Sequence, residues 1–387
     1  MPVSRLQHIP GIGVDVMGDR ADASADGSLL RLENLDTDIR PPAISLSRTI
    51  EAIGEDSANS YLPFQGAVGL RVAAAAHVGR AAGRSYEPTT ECVVTAGGLN
   101  GVLNTLLAVV EPGDEVVIVD PIYAGLINRI RLAGGVPRFV PLEATSIGWR
   151  LDPERLAAAV TDRTAAVLMM SPAMPTGSVL GRAHWVALAR ALDRSRAWLI
   201  YDAAMERIRF DDAEHVHPAR VPGLAHRTIT VGAASKELRM IGWRIGWVVG
   251  PAEIVHDVNL VGLSNVVCPV GIAQEAVAAA LTAPTADADM ARATSIWKRR
   301  RDLILQELDG YAVIPPDGGW SMLIDVTALD LSADTAVNRL FTRGRIAATP
   351  MTGWGPAGER YVRFVFANEP IERLGDLRTR VDAAWVR

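Results

Sequence analysis

SKELRMIGWRIGW, residues 235–247, follows the apolar run Thr228–Val231 through a Gly-Ala-Ala link, opens on Lys236 and reaches Arg244 eight residues later. A lysine leaving a buried strand near a second cation sits where desolvation and repulsion lower its pKa and make the amine nucleophilic. The competing reading is a solvated loop lysine. Lys236 and Lys298 are the only two lysines in the 387-residue chain, so surface decoration is a weaker explanation here than in a lysine-rich protein.

Outward from this stretch, short apolar runs alternate with helical patterns. Strand candidates are Glu91–Thr95, Glu115–Val119, Val136–Val140, Ala165–Met170, Ala197–Tyr201, Thr228–Val231 and Ile245–Val249. Helix candidates at 98–110, 122–133, 154–160 and 182–193 lie between them, the third opened by Asp152 as N-cap and Pro153 at its first position. That alternation predicts a mainly parallel, seven-stranded-type sheet wrapped by helices, an α/β fold. Residues 272–309 read as one long or two abutting helices leaving that domain. Beyond them Ala312–Ile314, Ser321–Val326, Ile346–Thr349 and Tyr361–Phe366, with helices at 333–342 and 370–385, predict a smaller α+β domain. Residues 1–44, with Gly/Asp/Ala-rich text and the Pro41-Pro42 pair, read as an irregular arm. The expected division is therefore an arm at 1–44 joining a small domain at 286–387, and a large domain at 45–285.

Composition narrows the function. Apolar residues make up 49 % and charged ones 21 %, and no stretch approaches the roughly 20 apolar residues of a membrane span. With 39 basic against 44 acidic residues the net charge is −5, which disfavours nucleic-acid binding. The two cysteines, Cys92 and Cys268, lack zinc-ligand spacing and point to a reduced cytoplasm, and no metal is expected. The N-terminus lacks the apolar run of a signal peptide.

Two further residue groups carry chemistry. The loop Thr95-Ala96-Gly97-Gly98-Leu99-Asn100 joins a strand to a helix start, where unpaired N–H groups and the helix dipole favour an anion such as phosphate; a purely structural turn is the alternative. Asp202 ends a strand at the carboxyl edge, where parallel sheets bind ligands, and either holds a heterocyclic cation or caps the following turn.

In this order the pieces resemble the fold-type I pyridoxal-phosphate enzymes, specifically the class I/II aminotransferases. The markers are YLPFQGAVGLR (61–71), TAGGLNG (95–101), PGDEVVIVDPIY (112–123), SPAMPTG (171–177), YDAAMER (201–207), SKELRMIGWRIGW (235–247) and YVRFVFA (361–367). The resemblance implies pyridoxal 5'-phosphate as cofactor, an amino acid and a 2-oxo acid as substrates, and a homodimer with shared sites. Lys236 matches the lysine that forms the Schiff base and shuttles the proton, and Asp202 the aspartate that keeps the pyridine nitrogen protonated. Arg244 matches the phosphate-binding arginine, with N–H groups of the Gly97, Gly98 and Leu99 loop on the same phosphate. Tyr123 is implied to stack on the ring, Tyr61 to reach the partner's phosphate, and Arg363 to grip the substrate α-carboxylate.

The chain also departs from the family pattern. Met174 and Met205 stand where an asparagine and a tyrosine usually bond the cofactor's 3-oxygen, and Ala233 replaces a hydroxyl that Ser235 is the nearest residue to replace. The glycine usually behind the substrate carboxylate falls near Leu35. Without donors to its neighbouring oxygen, the imine made by Lys236 is expected to keep its proton to higher pH than usual. Packing beside an apolar group explains the methionines equally well. Transamination is the expected activity, with elimination, replacement or cyclisation at the same residues as the alternative. A cofactor-sensing transcription-factor domain is disfavoured by the acidic charge and the lack of an appended helix-turn-helix.

Overall fold

The computed structural model describes residues 3 and 6–386. Its main sheet contains β1 (Cys92–Thr95), β2 (Glu115–Asp120), β3 (Val136–Pro141), β4 (Thr164–Met170), β5 (Trp198–Asp202), β6 (Thr228–Ala233) and β7 (Gly246–Val249). The order is β1-β7-β6-β5-β4-β2-β3, with β7 antiparallel to both neighbours and the other pairings parallel. Strands β1, β2, β4, β6 and β7 are buried along their whole lengths, which is why they read as continuous apolar runs and not as alternating ones. Edge strand β3 carries Pro137 and Pro141, which an edge tolerates because one row of N–H groups goes unused.

The covering helices are α1 (Val14–Asp22), α2 (Ala43–Ile53), α3 (Val68–Ala82), α4 (Gly98–Val109), α5 (Ala124–Leu132), α6 (Pro153–Ala158), α7 (Arg182–Leu192), α8 (Ala252–Asn265), α9 (Gly271–Thr282), α10 (Ala286–Glu307), α11 (Ala333–Arg339) and α12 (Leu377–Trp385). The expected run 272–309 is two helices, α9 and α10, parted by Ala283–Thr285 with Pro284 at the break. Alanine-rich α3 packs on β1 and β7, where its small side chains make room for Trp247.

The smaller sheet is antiparallel, β8 (Val313–Ile314), β9 (Ser321–Asp325), β10 (Thr349–Pro350) and β11 (Tyr361–Val365), ordered β8-β9-β11-β10. The expected strand 346–349 is divided: Ile346–Ala347 pairs with Leu30–Arg31, whereas Thr349 pairs with Arg363. The arm is therefore not irregular. It contains α1, whose Met17 and Ala21 are buried despite Gly18 and three aspartates, so tertiary packing overrides poor helix propensity. Residues 1, 2, 4 and 5 of the arm lie outside the described residues.

Candidate active site

The carboxyl ends of β1, β4, β5 and β6 and the centre of β11 meet at a cavity of about 270 Å³. Asp202 closes β5 and caps the turn that follows, one of the two roles foreseen for it. One carboxylate oxygen accepts the Ala204 N–H at 3.0 Å, and the residue lines the cavity. Burial lifts its pKa to about 6, opposed by the Ala204 N–H and by the charges of Arg129 and Lys236.

Lys236 follows β6 by three residues and faces the same space. Its Nζ donates to the Leu35 carbonyl at 2.9 Å and lies 4.8 Å over the Trp320 ring, and it forms no ion pair among the described residues. Burial, with Arg363 and Arg244 nearby, brings its pKa down to about 7 against the pull of Asp36 and Asp202. An amine in that range supplies free base near neutral pH.

The anion cradle is built from glycine geometry. Gly97 precedes α4 with φ 88° and offers no side-chain cap, so the first-turn N–H groups of Gly98 and Leu99 have no intrahelical partner. A Cβ on Gly97 would sit 2.7 Å from Arg244 Nη2, and one on Gly246 would sit 2.6 Å from the Gly98 nitrogen. Only glycine lets the guanidinium and the helix start come together. Gly97 thus shapes the cradle without lining the cavity, whereas Gly98, Leu99 and Arg244 line it. Arg244 adopts φ 53°, a left-handed conformation that costs a non-glycine residue on the order of 1 kcal/mol or more. Its Nη1 donates to Ser235 Oγ at 3.2 Å, so Ser235 stands in the cradle where Ala233 lacks a hydroxyl.

Arg363, in the middle of β11, is 1 % exposed. Its Nη2 donates to the Glu33 carbonyl and to Thr349 Oγ1, Nη1 lies 3.9 Å from the Met174 sulfur, and Nε has no protein partner among the described residues. Burial reduces its pKa to about 10. Tyr123 and Trp354 meet edge to face at 5.3 Å, and the Tyr123 N–H donates to the Met174 carbonyl. Met174 and Met205 both line the cavity, as thioethers where the resemblance called for hydrogen-bond donors. Tyr61 does not reach this cavity; it is 82 % exposed beside Phe64.

Several contributors carry no local sequence signal. Arg129 donates to the Leu99 and Gly125 carbonyls and steadies the cradle, and the backbone of Glu33 and Leu35 holds Arg363 and Lys236. Three cations and one carboxylate line the cavity, a balance suited to a ligand carrying phosphate and carboxylate.

Beside the site, Tyr201 Oη lies 2.8 Å from His215 Nε2 and 3.2 Å from Glu206 Oε1. Burial and the Glu237 charge push the Glu206 carboxyl up to about 8, and burial takes His215 down to about 4, so the cluster is uncharged at pH 7. An unfolded glutamate ionises near 4.5, while the folded one keeps its proton to about 8. The folded state therefore holds the extra proton in this window, and stability present below pH 4.5 is lost as pH rises through 8. Glu206→Gln is expected to remove that slope, by a few kcal/mol at most. Thermal unfolding of both proteins from pH 5 to 9 checks this: the wild type should lose stability relative to the variant, and parallel curves would contradict it.

A family model described as aminotransferase class I and II matches residues 35–381. The chain is 32 % identical over 349 residues to the arginine–pyruvate transaminase of Pseudomonas aeruginosa, covering 89 % of this chain and 87 % of that one. It is 34 % identical over 327 residues to the aspartate/prephenate aminotransferase of Thermus thermophilus, covering 83 % of each. The structure of N-succinyldiaminopimelate aminotransferase from Mycobacterium tuberculosis superposes with a TM-score of 0.91 at 32 % identity, covering 98 % of this chain and 99 % of that one.

Proposed function

Since the chain belongs to the class I and II aminotransferase family, a pyridoxal-phosphate-dependent group that moves an amino group between an amino acid and a 2-oxo acid, we propose that Lys236, Asp202, Arg244 and Arg363 carry that transfer here. The observation that carries the assignment is the opening of Lys236 and Asp202, from the ends of neighbouring strands, onto one cavity with both arginines.

The residues fit the cofactor. A buried amine with no ion pair among the described residues, a carboxylate lining the same cavity, and a guanidinium packed where a Cβ on Gly97 would sit match the cofactor's aldehyde, ring nitrogen and phosphate in chemistry. When bound, the cofactor supplies an electron-poor ring that takes up the electron pair left at the substrate Cα.

Lys236 would hold the cofactor covalently and carry the proton to and from the substrate Cα; its depressed pKa keeps the amine available. Asp202 would pair with the ring nitrogen and favour its protonated form, a pairing that would also favour the ionised carboxylate. Arg244, with the Gly98 and Leu99 N–H groups, neutralises the phosphate. Tyr123, Met174 and Met205 line the space that would receive the ring, with Tyr123 suited to stack on it, and Arg363 would orient the α-carboxylate.

Residues 45–285 form the large domain of this scheme, and 1–44 with 286–387 the small one. A second copy of the chain completes the site with Tyr61. Support comes from the exposure of the large apolar side chains Tyr61, Phe64, Val68 and Val72 and of Ile50 and Ile53 on α2, area that packing against a second copy would remove from water. The free state of Cys92 and Cys268 supports a cytoplasmic setting.

The test is a reaction of the loaded protein with single amino acids and no acceptor. Transfer yields one equivalent of 2-oxo acid per site and then stops. Continuing release of ammonia or of a rearranged product would point instead to elimination, replacement or cyclisation.

A further inference from the structure

We propose that the donor is a 2-amino monocarboxylic acid with an apolar side chain of leucine, methionine or phenylalanine type; this rests on the amino-transfer reading above. Among the described residues, the ionisable groups lining the cavity are Lys236, Asp202, Arg244, Arg363 and the Tyr123 phenol. The first four are committed to the cofactor's imine carbon, ring nitrogen and phosphate and to the substrate α-carboxylate. No cation remains for a second carboxylate, and no carboxylate remains for a guanidinium or ammonium on the side chain.

The remaining wall is mostly apolar. Ile12, Val14, Leu35, Met174, Met205 and Ile241 line the cavity, and the uncommitted polar side chain among its described residues is the neutral amide of Asn34. Met174 ties this wall to the carboxylate site: its sulfur lies 3.9 Å from Arg363 Nη1, the guanidinium assigned to the α-carboxylate. Ile12 is fixed from behind, its carbonyl accepting the Trp354 indole N–H at 3.1 Å, and Trp354 also carries the Arg363 guanidinium 4.8 Å over its ring. The arm wall and the carboxylate site thus share one support. A charged side chain entering this space meets thioethers, aliphatic carbon and one neutral amide but no opposite charge, and a buried charge without a charged partner is strongly unfavourable. Thioethers adapt their shape, so several apolar side chains of different outline fit the same wall.

The experiment uses the loaded enzyme in acceptor-free reactions with L-leucine, L-methionine, L-phenylalanine, L-aspartate, L-glutamate and L-arginine, the 2-oxo acids being quantified by mass spectrometry. The apolar three are expected to react at least about 100-fold faster at limiting concentration than the charged three. Equal or faster reaction of aspartate, glutamate or arginine overturns the proposal, including the case in which a partner subunit supplies the missing charge. Binding is measured separately by tryptophan fluorescence, with 4-methylpentanoate and maleate as unreactive probes. Tighter binding of 4-methylpentanoate supports the apolar wall, and tighter binding of maleate rejects it. If none of the six amino acids yields a 2-oxo acid, the amino-transfer reading fails, while the two probes still decide the polarity of the cavity.

Discussion

Lys236→Ala is expected to purify folded but without covalently held cofactor, and to turn over ~10⁴-fold more slowly than the wild type or worse. The variant loses two functions at once. On the proposed roles, the amine that anchors the cofactor disappears, and so does the base that moves the proton at Cα, since no other amine among the described residues lines the cavity. Folding should survive, because the Lys236 head makes one hydrogen bond, to the Leu35 carbonyl, and forms no ion pair among the described residues. Borohydride reduction followed by intact mass distinguishes the cases: the wild type gains the mass of one reduced cofactor, the variant none. A variant that retains the label would sink the assignment of Lys236. Cofactor capture by the stripped wild-type protein adds a sign test. The folded amine titrates near 7, so the nucleophilic free base is scarce below that pH and predominant above it. Capture should therefore speed up as pH rises through about 7, well below the range of an ordinary lysine.

The parts of this molecule that were legible in sequence are those set by local chemistry. Buried strands announce themselves as uninterrupted apolar runs: the seven strand candidates became the seven strands of the main sheet, five of them buried along their whole lengths. Lys236, Asp202 and Arg244 lie at strand ends or in the loop that follows, so a strand assignment already implies where they emerge. The features that stayed hidden depend on distant partners. Helix α1 has unremarkable propensity and forms because Met17 and Ala21 find a surface. Helix α3 is buried through most of its circumference, so its alanine run shows no clear amphipathic period. Leu35 and Lys236 are 201 residues apart in sequence, and Glu33 and Arg363 are 330 apart, and both contacts run through backbone carbonyls that any residue type would supply. Met174 and Met205 were visible as departures, but only the cavity shows that both face the site instead of packing away from it.

Arg363→Lys is expected to raise KM for the amino acid much more than it lowers the rate at saturation, and its size follows from the geometry. Nη2 is already occupied by the Glu33 carbonyl and Thr349 Oγ1, while Nε is buried with no protein partner and Nη1 faces only the Met174 thioether. A buried N–H without an acceptor is costly to maintain, and an incoming carboxylate relieves that cost as it binds. A lysine has one charged nitrogen with no planar fork, so it cannot both keep the Glu33 and Thr349 contacts and present donors to the carboxylate. Losing a buried, hydrogen-bonded charge pair costs ~2–5 kcal/mol, which corresponds to roughly 30-fold to several-thousand-fold in affinity. The effect should fall on the α-carboxylate and not on the side chain. The amine analogue of leucine that lacks the carboxylate, 3-methylbutylamine, should bind wild type and variant with similar affinity, whereas L-leucine discriminates between them. Comparable losses for both ligands would mean that Arg363 supports the fold of β11 and its surroundings and takes no part in recognising the carboxylate.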